Sequence, residues 1–396
     1  MNKKLTIPDD WNSDFLGKLA SISTGSKNTQ DKVYDGKYPF FVRSQTVERI
    51  NTYSFDGEAI LTAGDGVGTG KVFHYINGKF DFHQRVYKIS DFKEQLFPGY
   101  FFEYFRRNFI RQVVKYTAKT SVDSVRMEML TQMEIPLPPL EEQKKIAQIL
   151  STWDEAIDAV DELIEKKKDQ KKVLAEELFS GSKRLIKGSS KTQKTKYGDI
   201  PTDWEFLPIS KVAKINRKSL GKENKYKSYK YVDLSSVNEG LISIPDEEIT
   251  YEELPSRAKR IIQKGDVIFS TVRPNLLGYS IVDFDTSNHL CSTGFAVITP
   301  SVDSDTNFIY QQLYSSLFQR QVFSKVTGSN YPAINSSDFS NIKLNWPSDK
   351  NERKEIGDLL SGIELEAQLL YKKRQLLEKQ KKGLMQRLLT GKVRVN

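Results

Sequence analysis

Two stretches of the sequence carry an apolar residue at alternating intervals of four and three positions. A 3.5-residue repeat sustained over more than four heptads is typical of coiled coils, so each stretch predicts one long helix. The repeat positions of the first stretch are Ile146, Leu150, Trp153, Ile157, Val160, Ile164, Lys167, Lys171, Leu174 and Leu178. Those of the second stretch are Ile356, Leu360, Ile363, Ala367, Leu370, Arg374, Leu377, Lys381, Leu384 and Leu388.

The residues around these stretches indicate where the helices begin and end. A proline stops a helix from extending further toward its N-terminus, and Pro138, Pro139 and Pro347 precede the repeats. Gly181 and Gly391 follow them, and glycine commonly ends a helix. About 35–40 residues, at about 1.5 Å each, make a rod of about 50–60 Å. Because each helix can cover the apolar stripe of the other, we expect the two to pack on each other. If the chain is a two-fold duplicate, as argued below, the pair should run antiparallel, with each helix carrying its globular domain to the opposite end.

Four basic residues interrupt the apolar repeat, two in each helix: Lys167 and Lys171 in the first, and Arg374 and Lys381 in the second. Two interpretations are open. In the first, the four basic residues fix the register of the helix pair. In the second, their long side chains reach out to water from a loosely packed stretch.

The rest of the chain also repeats once. Five segments of the first half return in the second half, and the offset between the copies only rises along the chain. Residues 7–11 return as 200–204, 57–62 as 265–270, 85–89 as 294–298, 135–138 as 344–347 and 179–181 as 389–391, with offsets of 193, 208, 209, 209 and 210. The chain is therefore a duplicated unit.

Each copy opens with short β-type runs that Gly, Pro, Asn and Asp separate, at residues 38–42, 59–63, 72–76, 265–272 and 293–298. Amphipathic segments at 100–117 and 307–326 predict helices. We therefore expect an α+β protein in which two mixed α/β globular domains are separated by two long helices that form an antiparallel coiled coil. The predicted division is a first globular domain at 1–138, a helical spacer at 139–187, a linker and second globular domain at 188–347, and a second helical spacer at 348–396.

Composition narrows the class of protein. Of the 396 residues, 38% are hydrophobic and 28% charged, which allows sizeable cores in a water-soluble chain. No apolar run approaches the roughly 20 residues of a membrane span, and no apolar signal region follows the lysines at the start. The single cysteine, Cys291, excludes an intrachain disulfide framework. We expect a cytoplasmic, reduced protein with no membrane partner.

Positive charge is concentrated in two places. The net charge is +9, residues 188–230 contain 11 basic and 4 acidic residues, and residues 106–126 contain 6 basic residues and 1 acidic residue. Local positive charge of this kind attracts nucleic acid, although a solvated surface explains it equally well.

Motifs of known catalytic sites are absent. Residues 63–72 are glycine-rich, but a phosphate loop needs Gly where Asp65 stands and Ser or Thr where Val72 stands, and Thr69 breaks a dinucleotide fingerprint. The sequence has no nucleophile elbow, zinc-ligand spacing or complete nuclease carboxylate cluster. Cys291 lies in an apolar strand-like segment. We therefore expect no catalytic residues and no metal site.

Several segments carry a family resemblance: residues 135–146, the ending at 178–181, and residues 200–204 and 265–268. Together with two globular domains, two matching helical spacers and no active site, they resemble the DNA-specificity subunit of type I restriction-modification systems over essentially the whole chain. Residues 345–348 and 351–353 depart from the family pattern at the start of the second helix.

The resemblance implies a function and a set of partners. Each globular domain would be a target-recognition domain that reads one half of a split double-stranded DNA site. The helices would set the spacing of the half-sites and dock two methyltransferase subunits, and restriction/translocase subunits would complete the complex. This chain would bind no cofactor, since S-adenosylmethionine, ATP and Mg²⁺ would belong to the partner subunits.

Candidate DNA-binding residues lie at predicted strand ends and in polar or glycine-rich loops, where function concentrates. Gln84 and Arg85 suit bidentate contacts to adenine and guanine, and a structural turn is the alternative role at each candidate position. The candidates are Arg43, Ser44, Gln45, Gly66, Gly68, Lys71, His83, Gln84, Arg85, Lys119, Thr120, Ser121, Arg273, Asn275, Ser292, Thr293, Ser329, Asn330 and Tyr331.

An alternative from another class is a non-catalytic protein–protein adaptor whose basic charge is incidental. The two hypotheses differ in the salt dependence of binding to random duplex DNA, which is steep only where phosphates are contacted. A stand-alone nuclease is disfavoured, because a metal-binding carboxylate cluster is missing from the sequence.

Overall fold

The computed structural model describes residues 7–116, 124–221, 227–238, 240–328 and 330–395. The chain divides into two compact units. Unit 1 comprises Met1–Asp161 and Lys372–Asn396, and unit 2 comprises Glu162–Tyr371. Each unit therefore contains one globular part, about half of the first long helix and about half of the second.

Within residues 7–116 and 124–139, unit 1 forms eight strands and three α-helices that precede the first long helix. They are β1 Asn12–Phe15, α1 Leu16–Leu19, β2 Ser21–Thr24, β3 Tyr38–Phe41, β4 Glu48–Ile50, β5 Phe55–Ala63, β6 Phe73–Phe82, β7 Val86–Ser90, α2 Pro98–Lys115, α3 Met127–Thr131, β8 Glu134–Leu137 and the long helix α4 Leu140–Ser180.

The main sheet of unit 1 has six strands in the order β2-β7-β5-β6-β3-β4, and only the β3–β6 pair is parallel. Ile60 and Ile89 of this sheet join a large core with α2, which contributes Phe101, Phe105 and Phe109. Strand β1 pairs with β8, and β8 leads directly into α4.

Unit 2 contains the remaining elements. They are β9 Thr192–Thr195, β10 Gly198–Pro201, β11 Trp204–Pro208, α5 Ile209–Val212, β12 Ala213–Ile215, β13 Ser228–Val232, β14 Val237–Asn238, β15 Leu241–Ile242, β16 Ile249–Thr250, β17 Ala258–Ile261, β18 Val267–Ser270, β19 Tyr279–Ile281, β20 His289–Ser292, β21 Phe295–Pro300, α6 Thr306–Gln312, α7 Ser316–Phe323, α8 Ser336–Ser340, β22 Lys343–Pro347 and the long helix α9 Lys350–Leu388, which continues into unit 1.

Unit 2 repeats the sheet of unit 1 in two pieces. The order β12-β21-β18-β19 corresponds to β2-β7-β5-β6, and β16-β13-β20 corresponds to β4, β3 and the second half of β6, with the β13–β20 pair again parallel. The single strand β6 is thus replaced by β19 and β20, which residues 282–288 separate. The mixed α/β fold predicted for both copies is confirmed.

Strand pairing corrects the sequence alignment of the two copies by one residue. Val86 pairs with Ala63, and its counterpart Phe295 pairs with Ser270, so the offset in this strand is 207. The offset of 208 inferred from sequence is wrong here, because similarity in a run of small and apolar residues is nearly as good one position away. In a strand this slip exchanges the two faces of the sheet.

One predicted helix is also wrong in part. Residues 307–326 form two helices, α6 and α7, instead of one. Ser315 lies between them with extended backbone, and its hydroxyl oxygen accepts a hydrogen bond from the Phe318 N–H at 3.2 Å. A serine cap of this kind starts a new helix. The predicted helix at 100–117 corresponds to α2.

The long helices are antiparallel in each unit. In unit 1, Asp161 and Asp154 of α4 form ion pairs with Arg374 and Lys381 of α9, respectively. In unit 2, Lys167 Nζ lies 2.6 Å from Glu366 Oε2, and Lys171 Nζ lies 2.8 Å from Glu364 Oε2. In both units the residue number falls along one helix as it rises along the other.

All twenty predicted seam positions are buried or half-buried, so the predicted seam is confirmed. The four basic seam residues all have acidic partners on the other helix, which supports the register interpretation. The pairs Lys381–Asp154 and Lys171–Glu364 are counterparts, since each residue is shifted by 210 positions. The pairs Arg374–Asp161 and Lys167–Glu366 have no such charged counterpart in the other unit.

A cluster of ion pairs at the end of α9 closes unit 1. Arg394 donates to both oxygens of Glu142 at 2.8 Å and to both oxygens of Asp10 at 2.6–2.7 Å. The indole N–H of Trp11 also donates to Glu142, at 3.2 Å. We call Arg394, Glu142, Asp10 and Trp11 the unit 1 clamp. Because Glu142 lies in the first turn of α4 and Arg394 follows the end of α9, the clamp ties Asp10 and Trp11 to α4 and to the segment after α9.

Unit 2 has the same clamp, built from Arg184, Glu352, Asp203 and Trp204. Arg184 is ion-paired with Glu352 and donates to both oxygens of Asp203 at 3.0–3.1 Å. Trp204 donates to Glu352 at 3.1 Å. Each member is the counterpart of a unit 1 residue at an offset of 193 or 210, so the two ends of the duplication are held alike.

Candidate DNA interface

Three loops of unit 1 meet at Asp65. Arg43 follows strand β3, Asp65 follows β5, and Arg85 lies between β6 and β7. The Nη1 of Arg43 donates to Asp65 Oδ1 at 2.8 Å, and the Nη1 of Arg85 donates to Asp65 Oδ2 at 2.6 Å. The fold thereby brings together two arginines that lie 42 positions apart in the sequence. We call Arg43, Asp65 and Arg85 the arginine bridge.

The backbone of these loops is tightly defined. The Gly64 N–H donates to the Arg85 carbonyl at 2.8 Å, and the His83 N–H donates to the Phe41 carbonyl at 2.9 Å. Gly68 packs so closely on the carbonyl of Arg43 that a Cβ atom would collide with it. Gly64 and Gly68 therefore allow close packing of neighbouring loops, which accounts for two glycines of a segment that does not match a phosphate loop.

Electrostatics in this region are dominated by the two guanidiniums. Burial raises the pKa of Asp65, but the hydrogen bonds and charges of Arg43 and Arg85 outweigh it and hold the pKa below its usual range. Burial and the charge of Arg43 lower the pKa of His83. Its Nδ1 accepts a hydrogen bond from the Arg85 N–H at 2.9 Å, so the neutral ring carries its proton on Nε2. A neutral, buried His83 supports the turn that presents Arg85.

The other unit 1 candidates lie around this cluster. Gln84 is exposed, and its amide donates to Asn28 Oδ1 at 2.7 Å. Ser44 is exposed and donates to the Thr46 carbonyl at 3.0 Å, while Gln45 and Lys71 are exposed as well. Gly66 has a positive φ of 74° at the loop tip. Lys119, Thr120 and Ser121 lie outside the described residues.

Two arginines of the basic segment at 106–126 make contacts within unit 1. Arg106 is ion-paired with Glu103 and Asp154, and Arg107 donates to the Lys382 carbonyl at 3.4 Å. These arginines attach α2 to the long helices within unit 1. Of the described basic residues of this segment, Arg111, Lys115 and Arg126 are exposed, so both interpretations of its charge stay open.

Unit 2 presents its arginine at another position. Arg273 has a left-handed backbone with φ 50°, its N–H donates to the Pro332 carbonyl at 2.7 Å, and its guanidinium lies 5.0 Å from the ring centroid of Tyr331. Tyr331, Asn275 and Asn330 are exposed beside or near it. A non-glycine residue in this conformation is strained, and such strain is commonly found at functional sites.

Two further candidates of unit 2 have visible structural contacts. Ser292 is buried, and its hydroxyl oxygen accepts a hydrogen bond from the Gly294 N–H at 3.1 Å. Thr293 is exposed, and its N–H donates to the Arg257 carbonyl at 2.8 Å. Both support the turn before β21. Ser329 lies outside the described residues.

Backbone hydrogen bonds identify which loop positions correspond. The Gly64 N–H donates to the Arg85 carbonyl, and the Thr271 N–H donates to the Gly294 carbonyl, each at 2.8 Å. Asp65 forms a β-bridge with Ser124, and Val272 forms one with Ala333. Gly66 and Arg273, the next residues, both have positive φ. Unit 2 therefore places Val272 where unit 1 has Asp65, and Arg273 where it has Gly66.

Asp65 was not among the residues predicted for the site. In the sequence it counts only as the residue that breaks a phosphate-loop pattern. The available signal was an acidic residue between glycines, in a loop flanked by predicted basic contacts. Among the described residues, no three His, Cys, Asp or Glu side chains form a potential metal site, and no helix is long and apolar enough to cross a membrane.

Comparison with known proteins decides the family. The family model described as "Type I restriction modification DNA specificity domain" matches residues 8–170 and again residues 201–379. The chain belongs to the type I restriction-modification DNA-specificity family. The two matches also fall on the two copies that the repeat defines.

Full-length relatives agree with the family. The chain is 27% identical to the MjaVIII specificity subunit of Methanocaldococcus jannaschii, over 99% of this chain and 95% of the relative. It is 24% identical to the EcoDI specificity subunit of Escherichia coli, over 86% and 78% of the two chains. The putative MjaX specificity subunit of M. jannaschii is 30% identical over 76% and 70%.

Solved structures share the fold. The crystal structure of a type I restriction-modification S subunit from M. genitalium matches with a TM-score of 0.66 at 14% identity, over 98% of both chains. A chain from a structural study of assembly and conformational transition of a type I system matches with a TM-score of 0.52 at 15% identity, over 98% of this chain and 99% of its own.

The predicted family, fold class and role are confirmed by these matches. A specificity subunit recognises the DNA target for the restriction-modification complex and is a non-catalytic component of it. Which residues contact DNA stays a prediction.

Proposed function

We propose that this specificity subunit reads a bipartite DNA target, one half with each unit, through the arginine bridge and its surrounding loops in unit 1 and through Arg273 and its surroundings in unit 2. Phosphate contacts position such a reader, and contacts to base edges specify the sequence. Arginine is the residue most often found on guanine, where it binds O6 and N7 together.

The observation that supports this proposal is the contrast between the two loop sets. Their backbones are held by the same hydrogen bonds, while the side chains at the corresponding positions differ: Arg43, Asp65 and Arg85 in unit 1, and Leu234, Val272 and Gly294 in unit 2. Two readers of different half-sites require this combination of a common frame and unlike surfaces.

The half-site test uses Arg85→Ala and Arg273→Ala in the full chain. The target is first determined by sequencing DNA methylated by the chain together with its methyltransferase partner. Each substitution should then relax recognition of one half-site only, by about 1–3 kcal/mol at one base pair. Binding is measured on duplexes in which one base pair at a time is changed.

Arg387→Ala, at an exposed position near the end of α9, is the matched control and should leave both half-sites unchanged. A loss that is uniform over all DNA sequences would make the substituted arginine a phosphate anchor. Loss of both half-sites after one substitution would contradict the division of labour between the units.

We also propose that the partners are double-stranded DNA, two methyltransferase subunits that dock on the long helices, and restriction/translocase subunits. S-adenosylmethionine, ATP and Mg²⁺ would be bound by those subunits. The duplication supports two equivalent docking places, because the clamps and the ion pairs Lys381–Asp154 and Lys171–Glu364 recur in both units.

The long helices would set the gap between the half-sites. Seven residues inserted after Glu162 of α4 and seven after Lys372 of α9 keep the seam in phase and lengthen the pair by about 10 Å, or about three base pairs. The variant should recognise the same half-sites with a wider gap, read from its methylated positions. A four-residue insertion breaks the phase and is the control. An unchanged gap would assign spacing to other parts of the complex.

A further inference from the structure

We propose that Asp65 is a positioning residue for DNA recognition: it holds the guanidiniums of Arg43 and Arg85 side by side, in the arrangement in which unit 1 presents them to base edges. This inference rests on the proposed function of the two arginines. Asp65 would then contribute to sequence specificity, although it is an acidic residue in a surface that is proposed to face a polyanion.

In the arginine bridge, one buried carboxylate lies between two exposed arginine side chains. Each carboxylate oxygen of Asp65 accepts from the Nη1 of a different arginine. The side chain of Asp65 is only 12% exposed, whereas those of Arg43 and Arg85 are 44% and 63% exposed. The carboxylate is therefore inside the cluster and the two cations are outside. An arginine carries five N–H donors, and the bridge uses one nitrogen of each.

Asp65 is itself fixed by the backbone around it. It has an extended conformation, forms a β-bridge with Ser124 and follows Gly64, which is hydrogen-bonded to the Arg85 carbonyl. A fixed acceptor limits the rotamers of both arginines before DNA arrives. Such preorganisation reduces the entropy lost on binding, and a planar guanidinium held in place is suited to a bidentate base contact.

A purely structural role for the carboxylate is disfavoured by unit 2. There Val272 occupies the same position, with the same β-bridge and the same flanking hydrogen bonds. The positions that correspond to Arg43 and Arg85 are Leu234 and Gly294, which pack against each other. The turn thus forms without an acid, and the acid occurs in the unit that has the two arginines.

Charge considerations lead to an unusual expectation. A carboxylate near phosphates weakens binding to any DNA, because it repels the backbone and neutralises part of the arginine charge. If Asp65 only tied the loop, removing its charge would strengthen binding to all sequences alike. If it positions the arginines, removing its charge should strengthen binding to random DNA and weaken the preference for the target.

The test compares Asp65→Asn and Asp65→Val in the full chain, measured together with the methyltransferase partner. Asn keeps the shape of Asp65 without its charge, and Val is the residue that unit 2 has. Binding is measured at several salt concentrations to the target duplex and to a duplex with the unit 1 half-site scrambled. We expect the ratio of the two affinities to fall about tenfold, the loss of roughly one good base contact. Binding to the scrambled duplex should strengthen.

Asp65→Glu keeps the charge and should restore part of the preference. The unit 2 half-site is an internal control, because its recognition should not change in any of these variants. A thermal unfolding midpoint near that of the parent chain shows that the fold is retained.

Three results would overturn the inference. An unchanged preference in both Asp65 variants, with Arg43→Ala and Arg85→Ala each losing the half-site, would remove the role of Asp65 and leave the proposed function intact. Loss of both half-sites together with a lowered unfolding midpoint would make Asp65 structural. If Arg43→Ala and Arg85→Ala also have no effect on the unit 1 half-site, the proposed function of this loop fails first.

Discussion

The two units differ where they are proposed to meet DNA and agree where they hold the chain together. The clamps consist of the same four residue types, Arg, Glu, Asp and Trp, in the same contacts. The loops after strands β5 and β18 also share a backbone, yet one carries an acid that bridges two arginines and the other a single arginine beside a tyrosine.

This contrast shows how a duplicated chain can recognise two unlike sequences. In each clamp a buried glutamate accepts from an arginine and a tryptophan, and removing it leaves a donor unsatisfied in the interior. Exposed side chains on a fixed turn are constrained only by what they bind. The two kinds of position can therefore diverge at different rates without loss of the fold.

The largest effect is expected when the clamps are broken. Glu352→Ala removes a carboxylate that is fully buried and leaves the Trp204 indole N–H without its acceptor. Arg184 keeps Asp203 as its remaining carboxylate partner, so the expected cost is about 3 kcal/mol in unfolding free energy, the lower end of the range for breaking a buried ion pair. Glu142→Ala should cost less, because its partner Arg394 is 33% exposed and Arg184 only 15%. Urea unfolding with amide hydrogen exchange would measure each loss and assign it to one unit.

The control for the clamp prediction is Lys354→Ala, which breaks an exposed ion pair with Asp358 and should change the unfolding free energy by less than about 1 kcal/mol. Equal losses for the two clamp variants would mean that exposure of the arginine does not set the strength of the clamp. A loss spread over both units would mean that the units do not unfold separately.

A smaller effect is expected at Tyr331, which has no counterpart among the described residues of unit 1. Tyr331→Ala removes the ring beside Arg273, and a cation–π contact at an exposed site contributes about 0.5–1 kcal/mol. Affinity for the unit 2 half-site should fall by that amount, with no change at the unit 1 half-site. Competition binding with duplexes altered in one half-site would detect the difference.

Tyr331→Phe keeps the aromatic ring and is the matched control for this prediction. It should bind like the parent chain if stacking on Arg273 is the role of Tyr331. If Phe is as harmful as Ala, the hydroxyl group contacts DNA directly.

Much of the framework could be predicted because it rests on local periodicity. The alternation of four and three positions from Ile146 to Leu178 requires a helix with one apolar stripe, and its recurrence from Ile356 to Leu388 requires a partner of equal length. Pro139 and Gly181 bound the first helix as expected, with φ 74° at Gly181. The break at Ser315 was missed, because the apolar positions of residues 307–326 fit one helix and a serine also occurs inside helices, so its role as a cap shows only in its extended backbone.

The sequence by itself determined the duplication, the antiparallel helices and the family. These follow from patterns that repeat along the chain and can be read without knowing which distant residues meet. Only the tertiary structure decided the one-residue correction in strand β5 and the meeting of Arg43, Asp65 and Arg85. The reason is physical: an ion pair across three loops depends on strand order and register, and neither leaves a trace in the local sequence of any one loop.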